Sequence, residues 1–315
     1  MESVHSKDFT PEVISNGSVV TLGDFDGIHL GHRKLLNKAK QVAQKEGLPV
    51  LLLSYTPSPK VVLGKQKQSV QLLTSEERAA LLEEIEIDVL YLYPFTKETT
   101  RITAKDFLKD FILNTLKAKH IIIGYDHCFG KNRRGNYRYL KLASARYGFR
   151  LSRCSEVSLW GRKISSSSIK ESLRAGKVKT ASKKLGSFFP VSGSVQKGAQ
   201  RGSQLGFPTA NVTVPKEKIL PHDGVYTTIT VYQGKKYPSI TNIGKNPTFD
   251  LEHISVECHI FDFNETIYGE NLVIYFVEKI RDEIKFKDIN QLKTQIKADC
   301  ETAQQYLQKR QALLS

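Results

Sequence analysis

From Val19 to about Gly186, short apolar runs alternate with stretches whose apolar residues recur every three to four positions. The first pattern belongs to buried strands, the second to amphipathic helices. Strands are predicted at Val19–Leu22, Pro49–Ser54, Val89–Tyr93 and His120–Gly124, and helices at His32–Glu46, Ser75–Ile85 and Ala104–Leu116. Thr74-Ser75-Glu76-Glu77 opens the second helix as a capping box, with Thr74 as cap and Glu77 at the third position. This alternation implies an α/β domain with a Rossmann-like parallel sheet covered by helices. After Lys184 the pattern changes, and Leu185-Gly-Ser-Phe-Phe-Pro190 marks a boundary between domains at 1–186 and 187–315. Short strands follow at Val191–Val195, Val225–Tyr232, Lys236–Ile243, Ile254–Phe261 and Leu272–Lys279, broken by Gly, Pro and Asn. They predict a small antiparallel barrel or sandwich. One helix closes the chain from Asp288 to Leu314, with Asp288 as its cap and Leu292, Ile296 and Cys300 on one stripe.

Length and composition fit this division. The 315 residues suit two domains, each able to bury a core. Cys128, Cys154, Cys258 and Cys300 lie too far apart for a zinc knuckle or a C-x-x-C pair, so reduced structural thiols are expected. No stretch approaches 18 uninterrupted apolar residues, and Met-Glu-Ser-Val-His-Ser-Lys-Asp at the start shows no apolar core behind a basic segment, so a cytoplasmic protein is expected. The net charge of +15 raises nucleic acid as a partner. Lys and Arg are spread along the chain, however, with modest concentrations at 131–138 and 177–184 and no accompanying aromatic pattern. A basic surface that draws small polyphosphates accounts for the charge equally well.

Residues 19–36 carry the densest chemistry. An apolar strand runs into Gly23-Asp-Phe25-Asp26-Gly27-Ile-His29-Leu-Gly-His32, where a helical pattern begins. The glycines let the backbone approach a ligand, and the helix N-terminus favours phosphate. His29 and His32, three residues apart, share one helix face and can touch one triphosphate. Neither the P-loop spacing nor the dinucleotide G-x-G-x-x-G is present. Three further segments could complete the site. Thr56-Pro57-Ser58-Pro59 follows a strand, where open α/β sheets bind ligands, or is simply a rigid loop. Gly124-Tyr-Asp126-His127-Cys-Phe129-Gly130 again leaves a strand through glycine-bracketed polar residues. Ser165-Ser166-Ser167-Ser168-Ile169-Lys170 offers hydroxyls, helix amides and a cation to phosphate.

The first turn resembles the H-x-G-H signature of nucleotidyltransferases in the G-x-F-D-G-x-H-x-G-H form of bacterial FAD synthetase modules. The loop at Gly124–Gly130 is similar to that family's G-x-D-F-x-F-G, and Lys163–Lys170 to its I-S-S-T-x-I-R. His127 stands where phenylalanine is usual, Ser167 for threonine and Lys170 for arginine. The resemblance implies ATP binding by Gly23, Phe25, Asp26, Gly27, His29, His32, Ser165, Ser166, Ser167 and Lys170, and flavin binding by Asp126, His127 and Phe129. It also implies adenylyl transfer, in which an FMN phosphate oxygen attacks the α-phosphorus of ATP and pyrophosphate leaves. His29 and His32 would donate to the phosphates, with no protein nucleophile.

The second half holds Gly198-Ala-Gln-Arg201-Gly202-Ser-Gln-Leu-Gly206-Phe207-Pro208-Thr209-Ala-Asn211, a glycine-rich loop ending in two hard oxygen donors suited to Mg²⁺ shared with nucleotide phosphates. It resembles the G-x-x-R-G-x-x-L-G-F-P-T-A-N signature of riboflavin kinases, with Gly224-Val-Tyr226, the run starting at Asn242 and Ser255-Val-Glu257 in that family's order. The resemblance implies that Gly198, Arg201, Gly206, Phe207, Pro208, Thr209, Asn211 and Asn242 bind ATP and flavin. Thr209 and Asn211 would hold the Mg²⁺, and Glu257 would act as general base toward the ribityl hydroxyl of riboflavin. Together the two halves resemble the bifunctional riboflavin kinase/FAD synthetase family. FMN and FAD are then substrate and product rather than prosthetic groups, the partners are riboflavin, FMN and ATP, and neither nucleic acid nor membrane is expected; self-association stays open. Two other readings remain at this point: a riboflavin kinase whose first half has lost its activity, and an RNA-binding protein.

Overall fold

Why the first half folds as a parallel sheet is visible in its strands. In the computed structural model, which describes residues 2–5, 12–64, 70–198, 202, 205–245 and 254–313, Ser18–Leu22 (β2) is buried along its whole length, as are the first five residues of Val50–Thr56 (β3). Strands covered on both faces are continuous apolar runs, and parallel sheets require that cover. With β1 (Glu2–His5), β4 (Val89–Pro94), β5 (Ala118–Ile123) and β6 (Arg150–Arg153), they form a six-stranded sheet of order β1-β4-β3-β2-β5-β6, every pair parallel. The order puts β2 beside both β3 and β5, so the loops leaving their C-terminal ends share one edge.

The helices are α1 (Leu30–Glu46), α2 (Pro59–Val62), α3 (Ser75–Glu84), α4 (Ala104–Asp106, continuing as π-helical turns over Phe107–Thr115) and α5 (Tyr137–Tyr147). The sequence pattern missed β1, β6 and α5. β6 is short and nowhere fully buried, and α5 buries only Leu140 and Ala143, so neither prints a clear apolar period. A two-stranded hairpin, β7 (Ser158–Leu159) with β8 (Arg162–Lys163), follows.

The chain divides into two compact units, Met1–Ser69 with Ser75–Ser165, and Val70–Thr74 with Ser166–Ser315. Helices α6 (Ser166–Arg174) and α7 (Val178–Leu185), which the pattern change at Lys184 placed with the first domain, pack in the second unit. α7 buries Val178, Ala181 and Leu185, and it lies against the first and last strands of the barrel. The segment 70–74 is held in the same unit by two buried lysines. Lys170 Nζ donates to the Val70 carbonyl (2.6 Å), and Lys218 Nζ donates to that of Leu72 (2.7 Å) while lying 4.3 Å from the Phe189 ring centre.

Six strands then close into an antiparallel barrel: β9 (Phe189–Gln196), β10 (Ala210–Thr213), β11 (Gly224–Tyr232), β12 (Lys235–Lys245), β13 (Ile254–Ile260) and β14 (Asn271–Arg281). Their order is β10-β13-β12-β11-β14-β9, with β9 pairing back to β10. The four-residue β10 was not expected, yet it is the strand that makes the structure a barrel rather than a sandwich. A hydroxyl ladder crosses the buried interior: Thr228 reaches Ser239 and Thr241, and Thr230 reaches Ser239, each at 2.8 Å, with Cys258 Sγ 3.1 Å from Thr230. Each group satisfies the next, which makes a polar core tolerable. Outside, α8 (Ile289–Gln308) is capped by Asp288, which accepts from the Gln291 amide at 2.9 Å, and it packs Cys300 and Ala303 against Val225 and Ile240. The helix ends at Gln308, short of the expected Leu314.

Candidate active sites

The turn after β2 is shaped by glycine and by left-handed backbone. Phe25 (φ 47°), Gly27 (φ 93°) and Ile28 (φ 42°) swing the chain from strand to helix. Phe25 and Ile28 are fully buried, which offsets the strain at two non-glycine residues. His29 is the N-cap of α1 and its Nδ1 accepts the His32 amide at 3.4 Å. An accepting Nδ1 carries no proton, so the neutral ring keeps its hydrogen on Nε2, free to be offered to a phosphate oxygen. The His29 and His32 rings stack at 3.8 Å and 14°, and Phe25 lies 4.8 Å from His32. A side chain at Gly31 would come within 3.1 Å of the His29 ring. Burial pushes His29 down to about 4 and, with smaller contributions from the adjoining His29 ring and from Lys60, pushes His32 well below the usual imidazole range. Both rings are neutral hydrogen-bonding groups at neutral pH, and His32 Nδ1 is buried without a partner among the described residues.

Beside them lies a polar cluster that sequence reasoning missed. Ser58 Oγ donates to Asp24 Oδ2 at 3.0 Å, and Arg78 donates to Ser54 at 3.4 Å. Burial and then the neighbouring Asp26 raise the Asp24 carboxyl, while Ser58, Lys60 and Arg78 oppose the rise. The available signal was Thr56–Pro59 at a strand end, which draws Ser58 to the turn.

In the loop after β5, Asp126 pairs with Lys163 Nζ at 2.6 Å, and that ammonium sits 4.5 Å from the Tyr125 ring centre. The His127 Nε2 is buried and unpartnered among the described residues, and burial lowers the ring to about 4. Phe129 behaves differently. It is in the core against Phe107 and Tyr139, and its backbone bridges to Gly135 in both directions at 2.9 and 3.0 Å. Its ring therefore anchors the loop. Ser166 and Ser167 form the first turn of α6, preceded by Ser165, and the buried Lys170 ammonium is held by the Val70 carbonyl.

In the barrel, register assembles residues distant in sequence. Glu257 on β13 pairs with Asn211 on β10 and with Asn242 on β12, placing three polar side chains in a row on one face. The loop before β10 is cradled by glycine. A Cβ at Gly198 would fall 2.2 Å from Asn211 Nδ2, and one at Gly202 would fall 3.1 Å from Thr209 Oγ1 and 2.4 Å from the Phe207 carbonyl. Gly206 (φ 88°) turns the loop, and the Phe207 amide donates to the Gly202 carbonyl at 2.9 Å. His259, also missed, has Nδ1 donating to the Pro208 carbonyl at 2.7 Å and meets Phe207 edge-on at 5.9 Å. Arg201 and the residues from Asn246 to Phe249 lie outside the described residues.

A parallel α/β unit with a phosphate-binding turn, joined to a closed barrel with a glycine-cradled oxygen-donor loop, defines a two-module phosphate-transferring enzyme. Comparison with known proteins makes this specific. Residues 12–168 match the FAD synthetase family and residues 185–307 the riboflavin kinase family. The chain is 34% identical over 297 residues to the bifunctional riboflavin kinase/FMN adenylyltransferase of Buchnera aphidicola (93% of this chain, 95% of the relative). It is 35% identical over 294 residues to the protein of that name from Bacillus subtilis (92% of each). A crystal structure from Streptococcus pneumoniae, named as a macrolide-efflux protein, superposes with a TM-score of 0.87 at 33% identity, covering 96% of this chain and 99% of that one. The chain belongs to the bifunctional riboflavin kinase/FMN adenylyltransferase family. It is an enzyme carrying both modules of flavin cofactor synthesis, and a kinase-only reading is not favoured. Among the described residues no helix is long and apolar enough to cross a membrane.

Proposed function

We propose that the chain makes FAD from riboflavin in two ATP-dependent steps, with the adenylyltransferase module in residues 1–186 and the kinase module in 187–315. The observation that carries this reading is the pair of stacked, neutral imidazoles at the N-terminus of α1, matched in the barrel by the row of Asn211, Glu257 and Asn242.

In the first module, Gly23 and Gly27 admit the triphosphate to the helix N-terminus. His29 Nε2–H and His32 donate to its oxygens, and Phe25 fixes the His32 ring. Neutral donors stabilise charge that builds on the phosphates without paying to desolvate an imidazolium. Ser165, in the same unit as the two histidines, supplies a further phosphate contact. Asp126 and His127 contact the flavin, and Phe129 holds their loop in shape. An oxygen of the FMN phosphate then displaces pyrophosphate at the α-phosphorus.

In the barrel, Glu257 takes the proton from the terminal ribityl hydroxyl as that oxygen attacks the γ-phosphorus of ATP, with ADP leaving. Gly198, Arg201, Gly206, Phe207, Pro208 and Asn242 shape the nucleotide and flavin site. Thr209 and Asn211 fit Mg²⁺: both offer neutral hard oxygen, in a cradle that a Cβ at Gly198 or Gly202 would fill. Mg²⁺ bound with ATP would neutralise charge on the transferring phosphates. The four cysteines are free thiols, in keeping with a cytoplasmic enzyme.

The deciding experiment incubates the pure protein with riboflavin, ATP and Mg²⁺ and resolves riboflavin, FMN and FAD over time by chromatography. FMN should rise first and FAD follow. Failure to form FAD from supplied FMN removes the adenylyltransferase assignment, and failure to form FMN removes the kinase assignment.

A further inference from the structure

The hairpin β7–β8 turns on Trp160 and Gly161, whose φ angles are both positive at 52° and 71°, between the paired residues Leu159 and Arg162. A two-residue turn with both φ positive favours Asn-Gly or Asp-Gly, because a short polar first residue tolerates the left-handed region. A bulky aromatic there is strained. Trp160 is the chain's single tryptophan, and it is 63% exposed. Folding gains little from an indole that is both strained and exposed, whereas covering its face with a planar ligand would recover that burial.

The hairpin is also tied to the loop after β5. Lys163, the residue that ends β8, pairs with Asp126 and lies over the Tyr125 ring. Trp160 is three residues back along the same strand and turn, within ~10 Å of backbone at ~3.3 Å per residue. The ion pair thus couples the position of the indole to the loop assigned above to the flavin.

We propose that Trp160 is the stacking platform for the isoalloxazine ring of FMN in the adenylyltransferase module. This rests on the flavin assignment of the Asp126 loop. The electron-rich indole would lie face to face with the electron-poor flavin, while Lys163 and Asp126 hold the hairpin against the loop. Trp160 binds and orients substrate and takes no part in phosphoryl chemistry.

The test uses the full chain with Trp160→Ala, Trp160→Phe and Trp160→Asn, assaying FAD formation from FMN and, in the same preparations, FMN formation from riboflavin. Trp160→Ala should raise KM for FMN about tenfold, ~1.4 kcal/mol, with a much smaller change in kcat. Trp160→Phe should recover most of the loss, and the riboflavin reaction should be unchanged in every variant. Trp160→Asn should weaken FMN as the alanine variant does while raising the Tm, because asparagine relieves the turn; a purely structural tryptophan would not move the two in opposite senses. An unmoved KM for FMN in Trp160→Ala, a phenylalanine variant no better than alanine, or an equal loss in the riboflavin reaction overturns the proposal. A wild-type protein that forms no FAD overturns the adenylyltransferase reading and this proposal with it, whereas FAD formation with an unmoved KM overturns the role of Trp160 alone.

Discussion

Replacing His29 by asparagine should make the N-terminal unit less sensitive to acid. The imidazole is 7% exposed, and burial lowers it from 6.5 to about 4. Between those values the unfolded ring binds a proton that the folded ring refuses. Stability is therefore complete above about pH 6.5 and falls as the pH drops toward 4. The gap from 6.5 to about 4, at ~1.4 kcal/mol per pH unit, gives a total of ~3 kcal/mol, of which ~2 kcal/mol is lost by pH 5. Asparagine is a good N-cap and can still accept the His32 amide, so α1 keeps its start while the titration disappears. The assay is urea unfolding at pH 7.5 and pH 5, followed by hydrogen exchange of α1 and by emission of the lone Trp160. The wild type should lose ~2 kcal/mol more than His29→Asn between the two pH values. The same variant should lower FAD formation by about a hundredfold, because the Nε2–H donor is gone. Equal acid sensitivity in the two proteins would refute the buried neutral state of His29.

Other predictions separate the modules. Glu257→Gln should lower FMN formation by ~10²–10⁴ while FAD formation from supplied FMN persists, measured by the same chromatographic assay. His32→Ala should stop FAD synthesis and spare FMN formation; loss of both activities in a folded protein would contradict two independent sites. Lys218→Met should destabilise the second unit by about 1–3 kcal/mol, because the buried hydrogen bond from this ammonium to the Leu72 carbonyl is lost. Denaturant unfolding measures it, and an unchanged midpoint would show that the 70–74 segment does not need this lysine.

The sequence by itself determined the central strands of the parallel sheet and the spacing of the two histidines that follow β2. β2, β3 and β5 are legible because strands buried on both faces must be unbroken apolar runs, and the His29–His32 spacing is legible because helical periodicity fixes which side chains share a face. Tertiary structure decided what depends on neighbours remote in sequence. The short β10 closes the barrel through pairing with β9 and β13, and that register brings Asn211 and Asn242 beside Glu257. The hydroxyls of Thr228, Thr230, Ser239 and Thr241 come together only when the barrel closes and pairs them in its interior. Helices α6 and α7 follow their packing partners rather than the change in composition at Lys184. The neutrality of His29 and His32 is also a tertiary property, since it comes from desolvation by surrounding atoms, and no local pattern of residues encodes how deeply a ring is buried.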